Sequence, residues 1–216
     1  MKKLFIASLQ LPVNVNFNDK DVDIIQTDDA SLAGLQGFYS KFESTWVGHC
    51  GIENYDCSTK EKTALERELK KLSYIPVYTE AEDFEHFLHG FSKNTIWPLF
   101  HYFPQDTTYE DKAWDAYNSV NRLYAEKLAS VMEKGDILWI HDYHLLLLPK
   151  MMRELKPDVS IGLFIHIPWP SYEVFRLLPW RTEILEGMLG SDLIGFHTFG
   201  YVRHFLSSIR RLLGFD

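Results

Sequence analysis

Three short apolar runs shape the last third of the chain: "ILWIH" ending at His141, "GLFIH" ending at His166 and "LIGFH" ending at His197. Each is continuous rather than alternating and carries β-branched or aromatic residues, the pattern of a strand buried on both faces. Helical periods follow them, in "HLLLLPKMMRELK" at 144–156, "SYEVFRLLPWRTEILEGMLG" at 171–190 and "TFGYVRHFLSSIRRLL" at 198–213. Alternating strand and helix predicts βαβ units with right-handed crossovers, hence an α/β fold with a mainly parallel sheet flanked by helices.

The upstream part is less regular. "LFIAS" at 4–8 predicts a first strand, and a loop rich in Asn and Asp follows to about residue 30. A helix is expected over 31–42 with Ser31 as its N-cap, and a short strand and turn in "TWVGHCG" at 45–51. A charged amphipathic helix is predicted over 59–72, starting near Thr59 and Lys60. "YIPVY" at 74–78 reads as a strand, and Pro76 places it at a sheet edge. Helical periods cover 80–91 and 113–134. No internal repeat, flexible linker or domain break is visible.

The apolar stretch "DILWIHDYHLLLLP" at 136–149 is interrupted by His141, Asp142, Tyr143 and His144. Left buried and unpaired, such groups would cost several kcal/mol. The strand pattern resolves this: His141, His166 and His197 all fall at carboxyl ends of strands, the edge where open α/β sheets bind ligands. Asp142 and His166 are therefore the main site candidates, while His141 reads as a satisfied structural histidine. His141, Asp142 and His144, with His166, supply metal-ligand types. However, neighbours on an extended strand point to opposite sides, and the spacing fits no metal motif.

The chain has no G-x-S-x-G elbow, P-loop or G-x-G-x-x-G. The glycines of "SLAGLQG" read by spacing alone as a turn and close helix packing. "NTIWPLFHYF" at 94–103 offers Trp97, Phe100, His101 and Tyr102, aromatic faces of the kind that pack on sugar rings. Phe100 reads as core.

Composition narrows the classes. A formal charge of -8 and a pI near 5.6 give no basic face for nucleic acid or an anionic membrane. No apolar run is long enough to span a bilayer, and "MKKLFIASLQLPV" is cut by Pro12, so it reads as a strand rather than a signal peptide. The two cysteines suggest no disulfide framework, and a cytoplasmic setting is expected.

The segments "WVGHCG", "GFSKNTIWPLFHYF", "AWDAYNSVNRLYAEKL", "ILWIHDYHLLLLP", "VRHFLSS" and the long block from Ile161 to Thr198 occur together and in order. On these segments the chain resembles the trehalose-6-phosphate synthases, glycosyltransferases that join glucose from UDP-glucose to glucose 6-phosphate. The resemblance implies the amino-terminal half of a GT-B fold: residues 1–216 as one Rossmann-like, acceptor-side domain, with the donor-binding domain outside this chain. It implies transfer with retention, no metal or other cofactor, and UDP-glucose and glucose 6-phosphate as partners, with a homo-oligomer as an open possibility. In such a reaction a donor phosphate oxygen helps deprotonate the acceptor, so no catalytic carboxylate pair is required. By motif, Asp142 and His166 are the catalytic positions, Asp142 bonding sugar hydroxyls and His166 orienting the transferred glucosyl ring. Trp97 flanks the acceptor, Gly34 lies in the loop over the donor phosphates, and Gln10 stands at the acceptor. The chain alone is expected to transfer no glucose.

Departures from the family pattern bear on the acceptor. The first strand usually ends Ser-Asn-Arg-Leu-Pro; here it reads "SLQLP", so Gln10 replaces a phosphate-contacting arginine and brings no charge. Leu88 in "FLHGF" stands where the family has a tyrosine, and Ala33 replaces the first glycine of Gly-Gly-Leu. These changes leave two alternatives open: a catalytically degenerate regulatory or scaffold subunit, and a synthase with an altered acceptor.

Overall fold

The computed structural model describes residues 2–18, 21–27, 43–52 and 58–215. Six parallel strands form its main sheet: β1 (Leu4–Gln10), β4 (Ser44–His49), β5 (Tyr74–Val77), β6 (Ile137–His141), β7 (Ser160–Ile165) and β8 (Leu193–Phe196). Their spatial order is β5-β4-β1-β6-β7-β8. Strand order thus reverses direction between β1 and β6, which makes a crevice at the carboxyl ends of these two neighbours. β1 shows why its apolar run is unbroken. Leu4 and Ile6 enter one core cluster, with Trp46, Leu65 and Leu69, while Phe5 and Ala7 enter the other, with Phe87, Tyr117 and Leu138. Successive side chains point to opposite faces, and both faces are covered. Among the described residues β5 pairs only with β4, the edge position that Pro76 predicts.

The loop expected up to residue 30 is in part an antiparallel hairpin, β2 (Val13–Asn18) and β3 (Asp21–Gln26). Its Asn and Asp residues alternate with apolar ones, and Val15, Phe17 and Ile24 pack against the second core cluster. Period-2 alternation outweighs the turn-like composition. The helix expected over 31–42, with Ser31, Ala33 and Gly34, lies outside the described residues.

Helix α1 (Thr59–Lys71) begins one residue after its N-cap, Ser58, which forms a capping box with Glu61. The helix predicted over 80–91 is one part of a longer helical run. It comprises α2 (Ala81–Glu85), a π-helical segment (His86–Ile96) and α3 (Trp97–Phe100). Pro98 has no N–H for the carbonyl of Asn94, and the Thr108 N–H takes that carbonyl instead at 2.9 Å.

Helix α4 (Asp111–Val131) crosses back to β6, and α5 (Leu148–Leu155) follows a single 3₁₀ turn at Tyr143–Leu145. The helical period at 171–190 is divided into α6 (Tyr172–Phe175) and α7 (Arg181–Met188), with Pro179 in the break. Proline disfavours helix at the residue before it. Helix α8 (Phe199–Leu213) closes the described structure. Among the described residues no helix is long and apolar enough to cross a membrane.

Candidate functional site

The carboxyl ends of the parallel strands carry Gln10 on β1, His49 on β4, His141 and Asp142 at β6, His166 at β7 and His197 at β8. His166 and His197 each stand one residue beyond their strands. Asp142 sits beside the strand reversal and leaves the extended conformation, with φ 69° and ψ 177°. That left-handed backbone costs a non-glycine residue roughly 1–3 kcal/mol and recurs at functional sites. Here it directs the Asp142 carboxylate sideways to β7, where Oδ1 accepts the backbone N–H of His166 at 3.1 Å. The Asp142 N–H itself donates to the Phe164 carbonyl at 2.8 Å.

His141 and His166 meet as well, with Nδ1 of the former 3.1 Å from Nε2 of the latter. The alternation of an extended strand separates His141 from Asp142; the kink at Asp142 lets both engage His166. His197 continues the row, its ring 5.4 Å from that of His166. Burial pushes the Asp142 carboxyl up to about 6, against the backbone N–H groups of His166 and Tyr143 and the fields of His197 and His101.

Trp97 is 46% exposed. Its ring lies 4.0 Å from that of His101 and 6.0 Å from that of Tyr143, the residue after Asp142. Asp142, His166 and Trp97 thus share one neighbourhood. Phe100 is core, edge-on to Trp169 at 5.0 Å. Gln10 is exposed at the end of β1, and Leu88 packs against the main core. His144 faces inward beside Phe87, and burial holds its imidazole down at about 3. Among the described residues no three His, Cys, Asp or Glu side chains gather as a metal ion would require.

The residues that hold this edge together are on α4 and were not singled out from the sequence. The Tyr117 hydroxyl donates to the Tyr143 carbonyl at 2.7 Å and accepts the Leu146 N–H at 3.0 Å. The Asn121 amide donates to the His144 carbonyl at 3.1 Å and accepts the Leu148 N–H at 3.1 Å. The Tyr124 hydroxyl donates to the Leu9 carbonyl at 2.7 Å and accepts the His49 N–H at 3.0 Å. One buried helix face therefore clamps the ends of β1, β4 and β6. The available signal was polar atoms at i, i+4 and i+7 on an apolar stripe.

The profile of glycosyltransferase family 20 matches residues 2–216. The chain belongs to this family. It is 41% identical over 218 residues to the alpha,alpha-trehalose-phosphate synthase [UDP-forming] of Emericella nidulans, covering 98% of this chain and 43% of that protein. It is 40% identical to the corresponding synthase A of Dictyostelium discoideum, covering 99% of this chain and 29% of that one. The chain therefore spans less than half the length of these curated relatives. Among solved structures, it superposes on the N-terminal domain of Candida albicans trehalose-6-phosphate phosphatase with a TM-score of 0.82 at 34% identity, over 100% of this chain and 44% of that one. The Burkholderia multivorans alpha,alpha-trehalose 6-phosphate synthase gives 0.79 at 26% identity, over 98% and 43%. The part of the family 20 fold that this chain spans is thus an α/β domain with a mainly parallel sheet flanked by helices, as the strand pattern predicts.

Proposed function

We propose that this chain forms the acceptor side of a UDP-glucose-dependent trehalose-6-phosphate synthase, a cytoplasmic retaining glycosyltransferase that needs no metal. The observation that carries this reading is the junction of Asp142 and His166 at the strand reversal, with an exposed Trp97 beside it. An ionised carboxylate is an acceptor only, suited to bonding sugar hydroxyls, and Asp142 reaches that state above about pH 6. His166, held on its neighbour strand, orients the transferred glucosyl ring, and Trp97 offers an aromatic face to the acceptor. Gln10 stands at the carboxyl end of β1 on the acceptor side, and Gly34, outside the described residues, is assigned to the donor phosphates by its family motif alone. The names of the relatives, UDP-forming trehalose-phosphate synthases, support this assignment. So does the similarity at 26% identity to an Escherichia coli structure described as bound with UDP-2-fluoro glucose.

The test is UDP release by the full-length protein with UDP-glucose and glucose 6-phosphate. Turnover is expected, together with a loss of about a hundredfold or more in Asp142→Asn. Equal turnover in that variant would remove Asp142 from the site.

One specific observation favours a second reading, a synthase-like regulatory subunit. Uncharged Gln10 stands at the end of β1 and Leu88 is committed to packing, so neither supplies charge for an acceptor phosphate. The similarity to the N-terminal domain of a phosphatase fits this reading too. Absence of turnover with intact binding of UDP would favour it.

A further inference from the structure

The carboxyl end of β6 holds His166 twice. Asp142 takes its backbone N–H at 3.1 Å, and His141 meets its ring, Nδ1 to Nε2, at 3.1 Å. The two rings lie nearly parallel, 18° apart with centroids 5.4 Å apart. His141 is only 4% exposed, and its own ring is stacked on Trp139 at 6.0 Å and 16°. Phe164 at 4.8 Å and His197 at 5.4 Å flank the His166 ring.

A neutral imidazole has one donor and one acceptor nitrogen, and the hydrogen bond made by one nitrogen decides where the proton sits. A contact between two imidazole nitrogens contains one proton. It therefore couples the tautomers of both rings and opposes a flip of either.

We propose that His141 is a positioning residue: through its buried Nδ1 it fixes the ring plane and the tautomer of His166, which faces the sugar. This inference rests on the role of His166 in the proposed function. At 4% exposure His141 does not itself reach a substrate.

Two variants separate positioning from simple packing. His141→Asn keeps a polar atom near the place of Nδ1, whereas His141→Gln moves it toward the place of Nε2, away from His166. In the full-length protein, with UDP-glucose and glucose 6-phosphate, His141→Gln is expected to lower kcat by about ten- to a hundredfold with KM within about threefold. His141→Asn should recover to within about fivefold of wild type. A kcat for His141→Gln within about twofold of wild type, or equal losses in both variants tracking their melting temperatures, would overturn the proposal.

A measurement on the unsubstituted protein reads the same contact without activity. Nitrogen NMR should show a single tautomer for His166 and a coupling through the hydrogen bond between His141 Nδ1 and His166 Nε2. Averaged His166 nitrogen shifts with no such coupling would overturn the proposal. If the wild-type enzyme releases no UDP yet this coupling is present, the functional reading fails while the positioning of His166 by His141 stands.

Discussion

Asp142 combines two costs in one residue, a left-handed backbone and a desolvated carboxylate, and both trace to the turn that leaves β6 and ties it by a hydrogen bond to His166 at the end of β7. Because the folded protein holds the Asp142 proton more tightly than an unfolded chain does, ionisation there lowers stability as pH rises from about 4 through about 6. In Asp142→Asn the Oδ1 acceptor for the His166 N–H remains and the titration is gone. Its unfolding free energy relative to wild type should rise by about 2–3 kcal/mol between pH 4 and pH 7, read by urea denaturation. A constant difference across that range would mean that the carboxyl is not desolvated. The same group should give kcat/KM a limb that falls below about pH 6. Asp142 and His166 were legible in the sequence because polar side chains end two apolar strands. Their direct contact was not. Alternation on an extended strand separates His141 from Asp142, and only the φ of 69° at Asp142 reunites them. His144 looked like part of the same cluster but turns into the core.

Elements were legible where their period was unbroken. The three apolar strands, the edge strand with Pro76 and helix α1 follow from pattern alone. The hairpin did not, because Asn and Asp in "VNVNFN" suggest turns until the apolar residues between them are counted at period 2. The division of 171–190 was readable from Pro179. The π segment depends on packing: a Cβ on Gly90 would come within 2.9 Å of the Ala113 Cβ on α4. Helix α4 sets the carboxyl edge of the sheet by hydrogen bonds whose partners lie far away in sequence. Tyr124→Phe would leave the buried His49 N–H and the Leu9 carbonyl without that hydroxyl, at a cost of about 1–3 kcal/mol in chemical denaturation. A loss under about 0.5 kcal/mol would contradict the clamp. Helix α7 passes so close to the turn before α5 that a Cβ on Gly187 would lie 2.6 Å from the Leu146 carbonyl oxygen and 2.9 Å from the Leu147 Cα. Gly187→Ala is therefore expected to destabilise by about 1–3 kcal/mol, despite the better helix propensity of alanine. A stabilised variant would show that α7 can move away from that turn.

For the molecule as a whole, two buried histidines shape the acid response. Burial lowers His49 to about 4 and His144 to about 3. The unfolded chain then binds protons that the folded one resists, so the stability they contribute is complete above about pH 6.5 and is lost as pH falls toward 4. His144→Phe should flatten this acid slope in denaturation curves at pH 6.5 and 4.5; an unchanged slope would show that His144 protonates freely in the folded state. The same architecture places the candidate site on the crevice where strand order reverses, between β1 with Gln10 and β6 with Asp142. That crevice as the sugar site is the central claim. The crystal structure of the full-length protein with UDP and glucose 6-phosphate tests it most directly. The account predicts hexose hydroxyls on the Asp142 carboxylate, His166 facing the position of the transferred glucosyl group and Trp97 along the acceptor ring. A hexose bound elsewhere, with the Asp142 carboxylate touching no ligand, would contradict it.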